Sequence, residues 1–353
     1  MNIYAVSDKV LAVGATDGSD NIADFSSRGP VVDEEVIKPD IVAPGVAINS
    51  THLSGGYEVL GGTTVAKPHV AGAAALIKQL HPTWTPEMIK ANLMNTSKDL
   101  GANVYTQGAG RLQVNQAAIA QAVFTPASVG FGLVDPTQPL WIESAMLQLT
   151  NISTTSLGYS LYVSGTLPTG VTRCLDRVSA TLAVGDSITV TLHITVDNAI
   201  APQRNEEPFS YQGQVIATTV GQALQVPFSF RSGPTLSIIF DQSPLCVFLH
   251  DGEMRRAVRH YPGEVLSLLL PEGIYDAWLM YHNPFAYVIR EGVVVTSAAS
   301  INIGRSDARH TITSAFRDKS GQVISETVRG TLLIRYRDSQ SLYTYHGPTI
   351  PLQ

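Results

Sequence analysis

Residues 61–80 read GGTTVAKPHVAGAAALIKQL. A glycine pair, which frees the backbone for a sharp entry, runs into a helix-forming stretch from near Thr64 through Leu80. That stretch is rich in Ala and Gly and is apolar on nearly every side. A helix of this kind is expected to be buried, with a sheet beneath it and helices on its flanks. Ala66, Ala71 and Gly72 let it pass close to a sheet. Pro68 falls in the first turn, where its missing N–H is not needed.

The surrounding sequence supplies such a setting. VLAVGA (10–15) and DIVAPG (40–45) are apolar runs ending in glycine, as buried parallel strands do. A second helix is predicted over TPEMIKANLMN (85–95), with Thr85 as N-cap, Pro86 at the first helical position and Glu87 in the first turn. A third is predicted over QVNQAAIAQAV (113–123). Strands alternating with helices predict an α/β unit over 1–122.

From Phe124 the period changes. SITVTLHITV (187–196) sets Ile188, Val190, Leu192, Ile194 and Val196 on one face and Thr189, Thr191, His193 and Thr195 on the other. That period of two marks a half-buried strand. YQGQVIATTVGQALQVPFSF (211–230) reads as a hairpin turning at Gly221. Strands without helices predict a β-sandwich of the fibronectin III or immunoglobulin type over 124–233. A second small β-sandwich is expected over 234–353, with a hairpin around Asp251-Gly252 and a turn at Asp318–Gly321. The chain is thus expected to be multi-domain: a partial α/β unit followed by two all-β modules.

Composition narrows the function. The formal net charge is −6 and no Lys/Arg run occurs, which argues against a nucleic-acid partner. No apolar run reaches the length of a membrane span. The first fifteen residues lack the basic start and long apolar core of a signal peptide, so either the chain is not exported as it stands or its true beginning is missing. Cys174 and Cys246 form no metal or redox motif; a disulfide and two separate inert thiols both remain open. Asp17, Asp20, Asp33, Glu34 and Glu35 have no calcium-loop spacing and read as solvated loop charges. Three glycosylation sequons begin at Asn49, Asn95 and Asn151.

Several motifs, in order, carry a family resemblance: VLAVGATD (10–17), FSSRGP (25–30), KPDIVAPG (38–45), GTTVAKPHVAG (62–72), HPTWTPEMIKANLMNTS (81–97) and GAGRLQVNQA (108–117). Together they resemble the C-terminal part of the catalytic domain of the subtilisin-like serine proteases (subtilases). The resemblance implies a three-layer αβα fold with a parallel sheet, peptide-bond hydrolysis by acyl transfer, a polypeptide substrate and an extracellular or cell-surface setting. Calcium often accompanies the family, but no site for it can be assigned in this sequence, and no other cofactor is implied.

The physics of GTTVAKPHVAG agrees with such chemistry. A hydroxyl at a helix N-terminus lies beside free N–H groups and the positive end of the helix dipole, both of which stabilise a developing oxyanion. Gly62 and Thr63 allow a close approach by substrate. Yet Thr64 stands where the family has its nucleophilic serine, and Val65 where it has methionine. The methyl of Thr64 stiffens χ1 and crowds the oxygen. Thr64 therefore also reads as a helix N-cap or an inert helix-start residue.

The family orders its triad Asp, His, Ser along the chain. Its D-[ST]-G and H-G-T-H-V-A-G motifs do not occur here; the resemblance puts them in an N-terminal half upstream of Met1. His52, in the THLSGG loop, has no carboxylate at a recognisable spacing. His69 reads as a packed or hydrogen-bonded helix residue, and His81 as a cation suited to a helix end. His193, His250, His260, His282, His310 and His346 read as surface or satisfied residues. Loss of nucleophile or base alone costs such an enzyme on the order of 10⁶ in kcat. The isolated chain is therefore expected to be inactive. The alternative expectation is a non-catalytic remnant serving as scaffold, with β modules that bind protein or carbohydrate.

Overall fold

A computed structural model describes residues 5–30, 36–201, 210–250, 255–258, 264–281, 286–296, 298–308, 331–334 and 343–346. The sequence expectations for Asp33, Glu34, Glu35, Asp251-Gly252, His260, His282, His310 and Asp318–Gly321 fall outside these residues.

Val13–Thr16 (β1) and Ile41–Pro44 (β2) pair in parallel, Val13 opposite Ile41 and Thr16 opposite Pro44. Both are buried, as the unbroken apolar runs predict. Ile48–Thr51 (β3) and Tyr57–Leu60 (β4) then form an antiparallel hairpin. The THLSGG loop of the sequence supplies the connection between them, over 52–56.

Helix α1, Thr63–Leu80, lies against β1 and β2. It buries Ala66, Val70, Ala73 and Ile77, one face at helical spacing. Full burial of Val70 and Ile77 is worth about 1.5–3 kcal/mol each. The expectation of burial on every side is corrected. The helix is open elsewhere, with Leu76 52% and Leu80 54% exposed on the flank of that stripe. The pattern tells which faces can be buried, and among the described residues neighbours cover only one.

Helix α2, Pro86–Asn95, begins as expected: the Thr85 hydroxyl accepts from Met88 N and Pro86 opens the first turn. A short turn of helix, Val104–Gln107 (α3), follows. The third expected helix is shorter than the sequence suggested. Val114–Ala118 (α4) is helical, whereas Ala122–Thr125 (β5) is a strand. The β-prone residues Val123, Phe124 and Thr125 pair with a later strand instead. Strand β5 therefore runs across the expected boundary at 122–124.

Strands dominate the rest of the chain. Val129–Leu133 (β6), Leu140–Asn151 (β7), Leu157–Ser164 (β8), Val171–Leu175 (β9), Ser179–Leu182 (β10), Ser187–Asp197 (β11), Ser210–Thr219 (β12) and Gln222–Arg231 (β13) follow in order. They form two sheets, one ordered β10-β8-β12-β13-β6 and the other β5-β7-β11-β9. Residues of both sheets share one buried cluster, including Leu147, Val190, Leu192, Ile194, Val215, Val226 and Phe228. In β11 the period-two pattern holds, with Val190, Leu192, Ile194 and Val196 inward. Gly221 turns the β12–β13 hairpin at φ 76°.

Beyond residue 233 come Thr235–Ile239 (β14), Cys246–His250 (β15), Arg255–Val258 (β16), Val265–Leu269 (β17), Gly273–Tyr281 (β18), Ala286–Val295 (β19) and Ala298–Asn302 (β20). Their sheets are ordered β17-β14-β20 and β16-β15-β18-β19, around a shared cluster that includes Leu236, Val247, Leu266 and Leu279. Thr331–Ile334 (β21) pairs with Tyr343–His346 (β22). Cys174 is exposed and Cys246 buried, and the two are not bonded, so only Cys246 fits the inert core thiol. Among the described residues no helix is long and apolar enough to cross a membrane.

Candidate functional site

The start of α1 is built by glycine. Gly62 is the N-cap at φ 145° and ψ 160°, a conformation that L side chains rarely adopt. Its N–H donates to Gly45 O at 2.7 Å, tying the helix entry to the end of β2. Its carbonyl accepts from Val65 N and Ala66 N. The N–H groups of Thr63 and Thr64 find no backbone acceptor among the described residues. N–H groups left open at a helix start favour an anion.

Thr64 is exposed and occupies the second helical position. Of the two sequence readings, N-cap is corrected, because Gly62 holds that position; Thr64 lies at the helix start, ahead of the buried stripe that begins at Ala66. No side chain caps this helix. The Thr64 hydroxyl leans back over the turn, where a Cβ on Gly62 would stand 3.0 Å from Oγ1. The arrangement can present a hydroxyl, two free N–H donors and the positive end of an 18-residue helix at one accessible point.

The histidines do not gather there. The His69 ring Nδ1 lies 3.2 Å from Val65 O, one turn back on its own exposed helix face. His52 sits at the tip of the β3–β4 hairpin, with Nδ1 2.6 Å from Ser54 Oγ and Nε2 3.3 Å from Glu58. The expectation that no carboxylate serves His52 is thus corrected; strand pairing brings Glu58 back beside it. The four-residue strand β4 separates that end of the hairpin from the chain's entry into α1. His81 ends α1 but does not behave as a helix-end cation. Its ring stacks on Trp84 at 3.9 Å, and burial lowers its pKa. Lys78 plays the cationic part, donating to Pro82 O and Trp84 O. His193 is satisfied by Ser144 Oγ at 2.7 Å.

Sequence reasoning did not find the charged cluster beneath β2. Lys38 and Asp40 are both buried and meet at 2.7 Å; Lys90 reaches the other Asp40 oxygen at 2.8 Å. Ala12 N also donates to Asp40. Burial pushes the Lys38 ammonium pKa down, against the pull of Asp40. The signal was the polar K-P-D step before an apolar strand. Asp20, expected to be a solvated charge, pairs with Lys98 and Arg111. Asp17 closes its own turn, held ionised chiefly by the Asn21 side chain. Among the described residues no three His, Cys, Asp or Glu side chains gather to hold a metal ion. Of the three sequons, Asn95 and Asn151 are buried, and Asn49 is exposed.

Comparison with known proteins agrees with this geometry. Residues 2–111 match the subtilase family model. The minor extracellular protease Vpr of Bacillus subtilis (strain 168) is 46% identical over 125 residues, which is 32% of this chain and 16% of Vpr. Subtilisin BL of Lederbergia lenta is 48% identical over 99 residues, 28% of this chain and 34% of that protein. Subtilisin of Bacillus pumilus is 44% identical over 108 residues, 31% of this chain and 36% of that protein. Residues 2–111 are thus similar to part of a subtilisin-like serine protease catalytic domain. The chain spans between 16% and 36% of the length of these three relatives.

Proposed function

We propose that this chain contributes the C-terminal part of a subtilisin-like endopeptidase domain, with Thr64 at the nucleophile position. Two β-sandwich modules, over 124–233 and 234–353, follow it. The observation that carries the reading is the start of α1, where exposed Thr64 stands beside two N–H groups without a backbone acceptor, just after Gly62 at φ 145°. The reaction would be acyl transfer from a peptide bond, with Gly62 and Thr63 lining the approach of a polypeptide substrate. The likeness to Vpr, an extracellular protease by its description, supports an extracellular setting.

Alone, the chain is inactive in this reading. No histidine among the described residues stands against Thr64, and a threonine hydroxyl without a base is a poor nucleophile. The Asp and His functions would come from a polypeptide carrying the N-terminal half of such a domain. The uncovered face of α1, with Leu76 and Leu80, and the exposed hairpin residues Tyr57 and Val59 support a partner there. One observation favours a second reading, a non-catalytic scaffold whose β modules bind protein or carbohydrate: the extra methyl of Thr64, which an active enzyme has no use for.

The two separate in one experiment. Thr64→Ser is mixed with a polypeptide bearing the Asp and His motifs, and cleavage of a chromogenic peptide is followed. Turnover that needs both the substitution and the added polypeptide supports the protease reading. Complex formation without turnover in any combination assigns the chain to the scaffold.

A further inference from the structure

The β12–β13 hairpin is fastened to the subtilase segment by buried side-chain amides. Gln225 of β13 donates from Nε2 to Ala109 O at 2.6 Å and to Ser97 O at 2.8 Å, and lies 3.2 Å from Ser97 Oγ. Its main-chain carbonyl accepts from Asn95 Nδ2 at 3.1 Å, and Asn95 Oδ1 accepts from Phe124 N at 2.8 Å. Further along, Ser229 Oγ meets the Tyr105 hydroxyl at 2.9 Å, and Gln212 Oε1 accepts from Val104 N at 2.7 Å. Gln225, Asn95, Ser97 and Ser229 are all buried. A buried amide left without its acceptors costs about 1–3 kcal/mol, so these bonds hold one specific arrangement.

The turn that Gln225 grips leads to the candidate site. Gly110 sits at φ 126° with Lys98 O where a Cβ would be, so the turn follows one narrow path. Ala109 N donates to Asp40 O, Val42 N to Gly110 O, and Leu112 N to Val42 O, all at 2.9 Å. The turn thus forms the outer neighbour of β2. Immediately beyond β2, Gly45 N donates to Thr16 O and Gly45 O accepts from Gly62 N. Gly62 then opens α1.

We infer that Gln225 is a positioning residue: from β13 it fixes the 108–112 turn, and through that turn β2 and the backbone that presents Thr64. The β hairpin is in this sense a built-in support for the site. The inference concerns how the backbone is held and stands whether or not Thr64 acts as a nucleophile.

Hydrogen exchange of the full chain, read by mass spectrometry, tests it. Gln225→Met keeps the size and removes the donor. Amides within 40–45, 62–66 and 108–112 should exchange about tenfold faster, the loss of one well-made buried bond, while β7 and β11 stay as they were. A role in packing alone would leave 62–66 unchanged. Unchanged exchange at 62–66, acceleration confined to β12–β13, or equal acceleration of β7 and β11 would each overturn the inference. If Gln225→Met does not fold, Ser229→Ala carries the test. It should speed exchange within 104–112 several-fold, and no change there would overturn the inference equally.

Discussion

The methyl of Thr64 shares its Cβ with the hydroxyl, and χ1 is the only torsion that aims either of them. Here Oγ1 leans back towards Gly62, so the position of Gly62 sets what the hydroxyl can reach. Gly62→Ala is expected to destabilise the chain by about 1–3 kcal/mol, because an L residue at φ 145° is strained and its Cβ crowds Oγ1. Urea unfolding measures it; a midpoint equal to that of the unaltered chain would mean the helix entry relaxes freely. Asp40 is the second residue with leverage. It is buried and accepts from two lysines and Ala12 N. Asp40→Ala leaves Lys38 buried without its partner and should cost about 3–5 kcal/mol in the same assay. A loss below about 1 kcal/mol would show that water or Lys38 rearrangement compensates.

At the scale of elements, legibility followed local chemistry. The Thr85-Pro86 start of α2 and the period of two in β11 were readable because cap and alternation are properties of neighbouring residues. The end of α4 was misread because Ala-rich sequence continues a helix until pairing partners intervene, and Ala122–Thr125 has β7 to pair with. The end of α1 was misread for a related reason. A histidine at a helix C-terminus suggests a cation, but Trp84, three residues on, folds back to stack on its ring. Burial lowers the His81 pKa below the ordinary 6.5, so the folded state disfavours the protonated ring. The sign is that stability is complete above about pH 6.5 and declines as pH falls into the window below it, where the unfolded chain takes up the proton first. The effect is small, since the ring is only half-buried. His81→Phe keeps a stacking ring without the proton, so the unaltered chain should lose stability relative to this variant below pH 6.5. Parallel profiles, followed by Trp84 fluorescence, would remove His81 as the cause.

Across the whole molecule, the sequence pointed to the protease segment and to the change of texture near Phe124, but not to how the parts are joined. Gln225 meets Ser97 and Ala109 across more than a hundred residues, and no period or motif marks such a pair. The open side of α1 was equally hidden, since an all-round apolar helix looks the same whether or not its neighbours are present. That open side has a consequence. Leu76 and Leu80 stand one turn apart on one helix face, while Tyr57 and Val59 point the same way along β4. Exposed apolar area of this kind drives association, and a net charge of −6 on 353 residues opposes it weakly. Without a partner, the chain should therefore associate reversibly as its concentration rises. Leu76→Lys together with Leu80→Lys should shift the sedimentation profile towards monomer while leaving the far-ultraviolet circular dichroism unchanged, because neither side chain belongs to the buried face of α1. A profile that is monomeric already in the unaltered chain, or one that the two lysines do not move, would show that this face does not drive association.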